Sequence, residues 1–100
     1  MKNHLKISII GGGSGEFSMG IVRDLCLTPS LWDCTVSFMD IDKARLDAIY
    51  QVASRYAQEL NADILFEKTL DRRESLSDAD FVINCAMVGG WARFELVTQI

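Results

Sequence analysis

Apolar residues in this chain come in short dense runs, separated by stretches where they recur every three or four positions. Leu5-Lys6-Ile7-Ser8-Ile9-Ile10 is β-branched and apolar, and it halts at Gly11-Gly12-Gly13. It reads as a buried strand entering a tight turn. From Phe17 to Leu27, Phe17, Ile21, Val22 and Leu25 fall on one helical face. That helix ends before Thr28-Pro29, because proline disfavours helical geometry in the residue before it. Thr35 to Met39 is a second strand, ending at Asp40. Asp42 is placed to cap the next helix, in which Leu46, Ile49, Tyr50, Ala53, Ala57 and Leu60 keep helical spacing and Asn61 suits the C-terminal end. Ile64-Leu65-Phe66 is a short third strand. Asp71 with Glu74 resembles a capping box opening a brief helix through Leu76. Phe81 to Ala86 is a fourth strand, Met87-Val88-Gly89-Gly90 a loop, and Trp91 to Ile100 a last helix with no glycine, proline or basic turn to close it.

Strands alternating with helices imply parallel pairing through right-handed crossovers, and nearly continuous apolar strands imply helices on both faces. The expected architecture is α/β, a Rossmann-like doubly wound parallel sheet whose ligands collect at the carboxyl ends of the strands. Residues 1–100 read as one such domain. The open last helix suggests the N-terminal part of a larger dinucleotide-binding domain in a longer protein.

Composition narrows the partners. The chain is 49% apolar and 24% charged, which excludes a disordered tail or a low-complexity linker. A net charge of −4 offers no footprint for nucleic acid or an anionic membrane. No apolar run approaches the roughly 18 residues of a membrane span, and Ile7 to Ile10 is too short for a signal-peptide core. Cys26, Cys34 and Cys85 are odd in number and widely spaced, as expected of buried thiols in a reducing, cytoplasmic setting. The single histidine, His4, lies in the leader before the first strand. No Cys/His cluster suggests zinc.

The distinctive chemistry sits at the strand ends. Gly11-Gly12-Gly13-Ser14-Gly15 joins the first strand to the first helix, where glycine permits positive φ and lets backbone N–H groups approach a pyrophosphate. Glu16 stands where the common dinucleotide fingerprint has its third glycine; a mobile glycine turn is the plainer reading. Asp40 ends the second strand, where a carboxylate binds the adenosine ribose and repels a 2′-phosphate, favouring NAD over NADP. Its separation from Gly11 exceeds the usual ~20 residues because of the long Pro29-to-Cys34 connection. The alternative is that Asp40 caps a turn. Arg45 either reaches the adenosine or is a solvated helix residue. Asn84 lies inside an apolar strand, near the nicotinamide end of a cofactor or as a satisfied strand-end amide. Cys85 is better read as a core thiol than as crevice lining. Trp91, Arg93 and Glu95 follow beside that crevice, where lone charges are more often solvated than catalytic.

Taken together, Lys6 to Ser14 with Phe17 and Asp24-Leu25, Met39-Asp40-Ile41-Asp42 with Arg45-Leu46, and Ala79 to Asn84 with Val88-Gly89-Gly90 resemble the opening of glycoside hydrolase family 4, from about Lys6 to Ile100. In that family the missing third glycine is normal. The handling of two carboxylates common to other glycosidases is replaced by NAD-dependent chemistry. The resemblance implies oxidation of the sugar at C3 by NAD, loss of the C2 proton to a base, elimination of the glycosidic oxygen, water addition and return of the hydride. A divalent metal, usually Mn2+, polarises the C2 and C3 oxygens. It places Gly11, Gly13, Ser14 and Gly15 at the pyrophosphate with Glu16 and Phe17 close by, Asp40 at the ribose and Ile41 at the adenine. Asn84, Met87 and Val88 flank the nicotinamide, and Glu95 lies near cofactor and sugar. The metal ligands and the tyrosine base belong downstream, so this stretch alone should be catalytically incomplete.

Phosphosugar-specific members resemble this region but carry arginine immediately before that glutamate. Here Phe94 stands there and Arg93 one place earlier. The substrate expected is therefore an unphosphorylated α-glycoside: an α-glucoside, α-galactoside or α-hexuronide. The full-length protein is expected to be a homo-oligomer, dimer or tetramer. Two rivals stand: a hydroxyacid dehydrogenase of the lactate/malate type, and a non-enzymatic dinucleotide-binding module.

Overall fold

The structure is a computed structural model describing residues 4–13 and 15–84, together with the backbone of residues 87–88, 91–92 and 95–98. Four strands, β1 (Leu5–Ile10), β2 (Cys34–Met39), β3 (Ile64–Thr69) and β4 (Phe81–Asn84), lie in the order β3-β2-β1-β4, all parallel. Three helices alternate with them: α1 (Gly15–Cys26), α2 (Lys43–Glu59) and α3 (Arg72–Leu76). The chain steps from β1 outward to β3, then returns to the far side of β1 to form β4. The strand order therefore reverses at β1, where a Rossmann-like sheet opens its ligand crevice.

Alternation along each strand decides which helix it meets. Ile7 pairs with Val36 and Ile9 with Phe38, so these side chains share a face. There Ile9, Val36 and Phe38 are buried by Val22, Leu25 and Cys26 of α1 and by Leu46, Ile49, Ala53 and Ala57 of α2. Phe66 of β3 stacks on Phe38 with ring centroids 5.8 Å apart. The opposite face meets α3 through hydroxyls. Ser75 Oγ lies 2.6 Å from Ser8 Oγ and 2.9 Å from Ser37 Oγ, all fully buried. Small side chains let this short helix approach the sheet, and mutual bonding satisfies polar atoms that would otherwise be costly to bury. Lys6 Nζ donates to the Ser77 carbonyl at 2.7 Å, closing the C-terminal end of α3.

The helix boundaries follow the sequence signals. Asp42 accepts from the Arg45 amide and caps α2. At the other end Asn61 adopts φ 54°, while the Asn61 and Ala62 amides donate to the Gln58 and Ala57 carbonyls. That pattern is a Schellman closure. Asp71 caps α3 through the Arg73 amide. No helix among the described residues is long and apolar enough to cross a membrane.

The structure corrects three readings. The helix expected from Trp91 is replaced by strands where that stretch is described: Trp91–Ala92 (β6) pairs antiparallel with Met87–Val88 (β5), and Glu95–Thr98 (β7) runs antiparallel along β4; residues 93–94 and 99–100 lie outside the described residues. The expected loop over Met87 to Gly90 thus contains a strand. Val88 pairs with Trp91; Gly89 and Gly90, the rest of that expected loop, lie outside the described residues. Trp91, Phe94, Val97, Thr98 and Ile100 have strand propensity, and a short apolar run has no periodicity decisive enough to choose helix. Pairing with β7 also satisfies the outer edge of β4. β3 runs three residues further than Phe66. His4 precedes β1 as expected, and its imidazole lies 2.6 Å from Thr35 Oγ1 and 3.1 Å from Asp33 Oδ1. The fourth strand is described over Phe81–Asn84; Cys85 and Ala86, the end of the expected strand, lie outside the described residues.

Candidate cofactor site

The turn after β1 is built against the tip of β2. Gly11 takes φ 78°, a conformation that favours glycine. The Gly11 and Gly12 amides both donate to the Met39 carbonyl at 2.8 Å. The Gly13 amide donates to Asp40 Oδ2 at 2.8 Å, and Asp40 Oδ1 accepts from the Asp42 amide at 2.9 Å. A Cβ on Gly13 would stand 2.6 Å from Asp40 Oδ2 and 2.9 Å from Arg45 Cβ. Glycine is required here by close packing against the carboxylate rather than by backbone dihedral.

The amides of Gly11 and Gly13 are thus engaged inside the turn, and these residues shape the cradle. The donors opening outward are those at the start of α1. Gly15 and Glu16 are exposed, and the first amides of a helix have no intrahelical acceptor. Among the described residues, no atom outside its chain neighbours and helix backbone lies within 4 Å of a Cβ placed on Gly15, so the space beside Gly15 is open. The helix dipole makes that space favourable to an anion. Phe17, expected beside the cofactor, is partly buried and packs against the core.

Ile41 is 90% exposed immediately beyond Asp40. Arg45 is also exposed. Its side chain makes a loose contact with Asp42 at 3.9 Å, and its Cβ borders Gly13. Asn84 sits opposite Ile10 in the β1–β4 register, at the carboxyl end that faces the glycine turn. The backbone of Glu95 stands across from Asn84. Ser14 and the side chains of Met87, Val88 and Glu95 lie outside the described residues.

Ser18 was not evident as a site residue. Its hydroxyl, fully buried, donates to the Gly12 carbonyl at 2.7 Å. The signal was present as a lone hydroxyl three and four residues before Ile21 and Val22, on the apolar face of α1.

Two buried thiols lie away from this site. Burial pushes the Cys34 thiol up, reinforced by Asp33, and burial alone pushes up that of Cys26. Both are free and held protonated, as core residues should be. A groove bordered by His4, Lys6, Glu67 and Glu74 opens toward the amino ends of the strands, remote from the glycine turn. Its cation is consumed internally, with Lys6 Nζ shared among Ser77, Glu74 and Glu67. No group of three or more metal-ligating side chains occurs among the described residues.

A parallel 3-2-1-4 sheet with a glycine turn on its first strand and a carboxylate on its second belongs to the Rossmann-like α/β class. The profile of the family 4 glycosyl hydrolases matches residues 6–100, and the chain belongs to that family. It is 32% identical over 85 residues to an α-galactosidase of Rhizobium meliloti, covering 85% of this chain and 17% of that protein. It is 35% identical over 107 residues to a 6-phospho-β-glucosidase of Escherichia coli, covering all of this chain and 23% of that one. Among solved structures, a 6-phospho-α-glucosidase from gut microorganisms in complex with NAD and glucose-6-phosphate superposes with a TM-score of 0.76 at 28% identity. That match covers 88% of this chain and 20% of the other. A second 6-phospho-α-glucosidase structure, with NAD and Mn2+, has the same TM-score at 24% identity and shares the fold. The chain spans about a fifth of the length of these relatives.

Proposed function

We propose that this chain is the NAD-binding segment of a glycosidase that acts through reversible oxidation of its sugar substrate. The carrying observation is the Asp40 carboxylate, clasped to the glycine turn through the Gly13 amide at 2.8 Å. Two backbone amides fix its orientation. A carboxylate has about four lone-pair sites, so acceptor capacity is left for a ribose diol. Its charge disfavours a 2′-phosphate and selects NAD over NADP. The N-terminus of α1 takes the diphosphate through the amides of Ser14, Gly15 and Glu16, and the space left open at Gly15 accommodates it. Ile41 borders the adenine, with Arg45 beside it. Asn84, Met87 and Val88 flank the nicotinamide half, and Glu95 lies toward the sugar.

When bound, NAD supplies a hydride acceptor that can return what it takes. The residues of this chain bind and orient it at the β1–β4 crevice. The base and the metal ligands are assigned to the protein beyond residue 100, with Mn2+ as the metal. The substrate we assign is an unphosphorylated α-glucoside, α-galactoside or α-hexuronide. Phe94 in place of arginine before Glu95 supports this. The relatives include both an α-galactosidase and phosphoglucosidases, so the assay must offer both kinds. The full-length protein, given NAD, Mn2+ and nitrophenyl α-glycosides, should release nitrophenol, and the 6-phosphates should be poorer substrates. Activity indifferent to removal of NAD would defeat the redox route, and preference for 6-phosphates would overturn the substrate class. Light scattering tests the expected dimer or tetramer.

A further inference from the structure

We infer that Ser18 is a positioning residue that sets the preference for NAD over NADP from inside the core. The inference rests on the cofactor reading above and deepens it. One peptide unit, the carbonyl of Gly12 and the amide of Gly13, is held at both ends. Ser18 Oγ donates to the Gly12 carbonyl at 2.7 Å, and the Gly13 amide donates to Asp40 Oδ2 at 2.8 Å. Because a peptide unit is planar, fixing the carbonyl fixes the direction of the N–H. Ser18 therefore aims the donor that aims the carboxylate.

The burial pattern supports a specific role. Ser18 is fully buried on the face of α1 that otherwise presents Val22 and Leu25 to the core. An alanine would pack there with no polar atom to satisfy, whereas a hydroxyl is costly to bury unless bonded. Its single hydrogen goes to the one carbonyl that shares a plane with the Gly13 amide. Without it the buried carbonyl loses that partner, and the unit is free to turn toward another donor. The Gly13 N–H then swings off Asp40, and the carboxylate loses its fixed direction toward the ribose. NADP, which gains nothing from a well-aimed carboxylate, is affected less.

Calorimetric titration of the full-length wild-type protein with NAD and NADP, repeated for Ser18→Ala and the near-isosteric weak donor Ser18→Cys, tests this. NAD should weaken about three- to tenfold in both variants, as expected for loss of one orienting hydrogen bond. NADP should change less than about twofold, narrowing the ratio between cofactors. A merely structural role would weaken both alike. A wild-type protein that binds neither dinucleotide overturns the cofactor reading itself. A wild-type protein that prefers NAD, with both variants keeping its ratio, overturns the role of Ser18 and leaves that reading standing. Hydrogen exchange at the Gly13 amide of the wild-type protein gives a test independent of any variant: slow exchange supports the pinned peptide and fast exchange refutes it.

Discussion

Gly13→Ala probes the contact on which the cofactor site is built. The added Cβ would sit 2.6 Å from Asp40 Oδ2 and 2.9 Å from Arg45 Cβ, well inside van der Waals contact. Arg45 Cβ is fixed by the backbone of α2. Asp40 has a short side chain whose two oxygens accept from the Gly13 and Asp42 amides at 2.8 and 2.9 Å. The carboxylate must therefore give way, losing at least one of these bonds. A hydrogen bond to a charged group is worth about 1.5–3 kcal/mol, so NAD affinity should fall about 10- to 150-fold. Gly15→Ala is the control for space. Among the described residues nothing beyond its own helix and chain neighbours stands within 4 Å of its Cβ, so the fold should be unharmed while the methyl intrudes on a ligand in front of α1. Calorimetric affinity alongside thermal melting separates the two effects. A folded Gly13→Ala protein that binds NAD as tightly as wild type would refute the assignment of Asp40 and its clasp.

Ser75→Ala removes the hydroxyl that joins Ser8 and Ser37; urea denaturation should show a loss of about 1–3 kcal/mol. Asn61 holds φ 54° at the end of α2, so Asn61→Ala should cost about 1 kcal/mol by the same measurement, while Asn61→Gly should be neutral or better. Burial raises the pKa of Cys26 and Cys34. A raised folded-state pKa adds stability that is fully present below the unfolded thiol pKa of about 8.5. It is lost as pH climbs through the folded value. Stability should therefore decline in alkali above that range, and Cys34→Ala should flatten the decline even if it lowers stability at neutral pH.

Much of the fold was legible because its elements have clean periods and marked ends. Asp42 and Asn61 bound α2 on both sides, and Leu46, Ile49, Ala53 and Ala57 mark the face it buries. Strands β1 and β2 announce themselves by apolar runs that stop at the glycines and at Asp40. What was illegible depends on partners distant in sequence. Nothing local says that Ser8, Ser37 and Ser75 meet, or that His4 bonds with residues 29 and 31 places away. Residues 91–100 misled because a short apolar run fits either period, and pairing with β4 is a tertiary choice. At Asp40 the sequence posed an alternative between ribose carboxylate and turn cap. The structure shows the carboxylate capping both the Gly13 and the Asp42 amides, so the turn-cap reading holds and the ribose contact is left to the binding experiment.

The most direct measurement is a crystal structure of the full-length protein with NAD. The account predicts the diphosphate against the first turn of α1 and both adenosine ribose hydroxyls on Asp40, with the Gly12–Gly13 peptide still held by Ser18. A dinucleotide seated elsewhere, or a ribose that ignores Asp40, would contradict it.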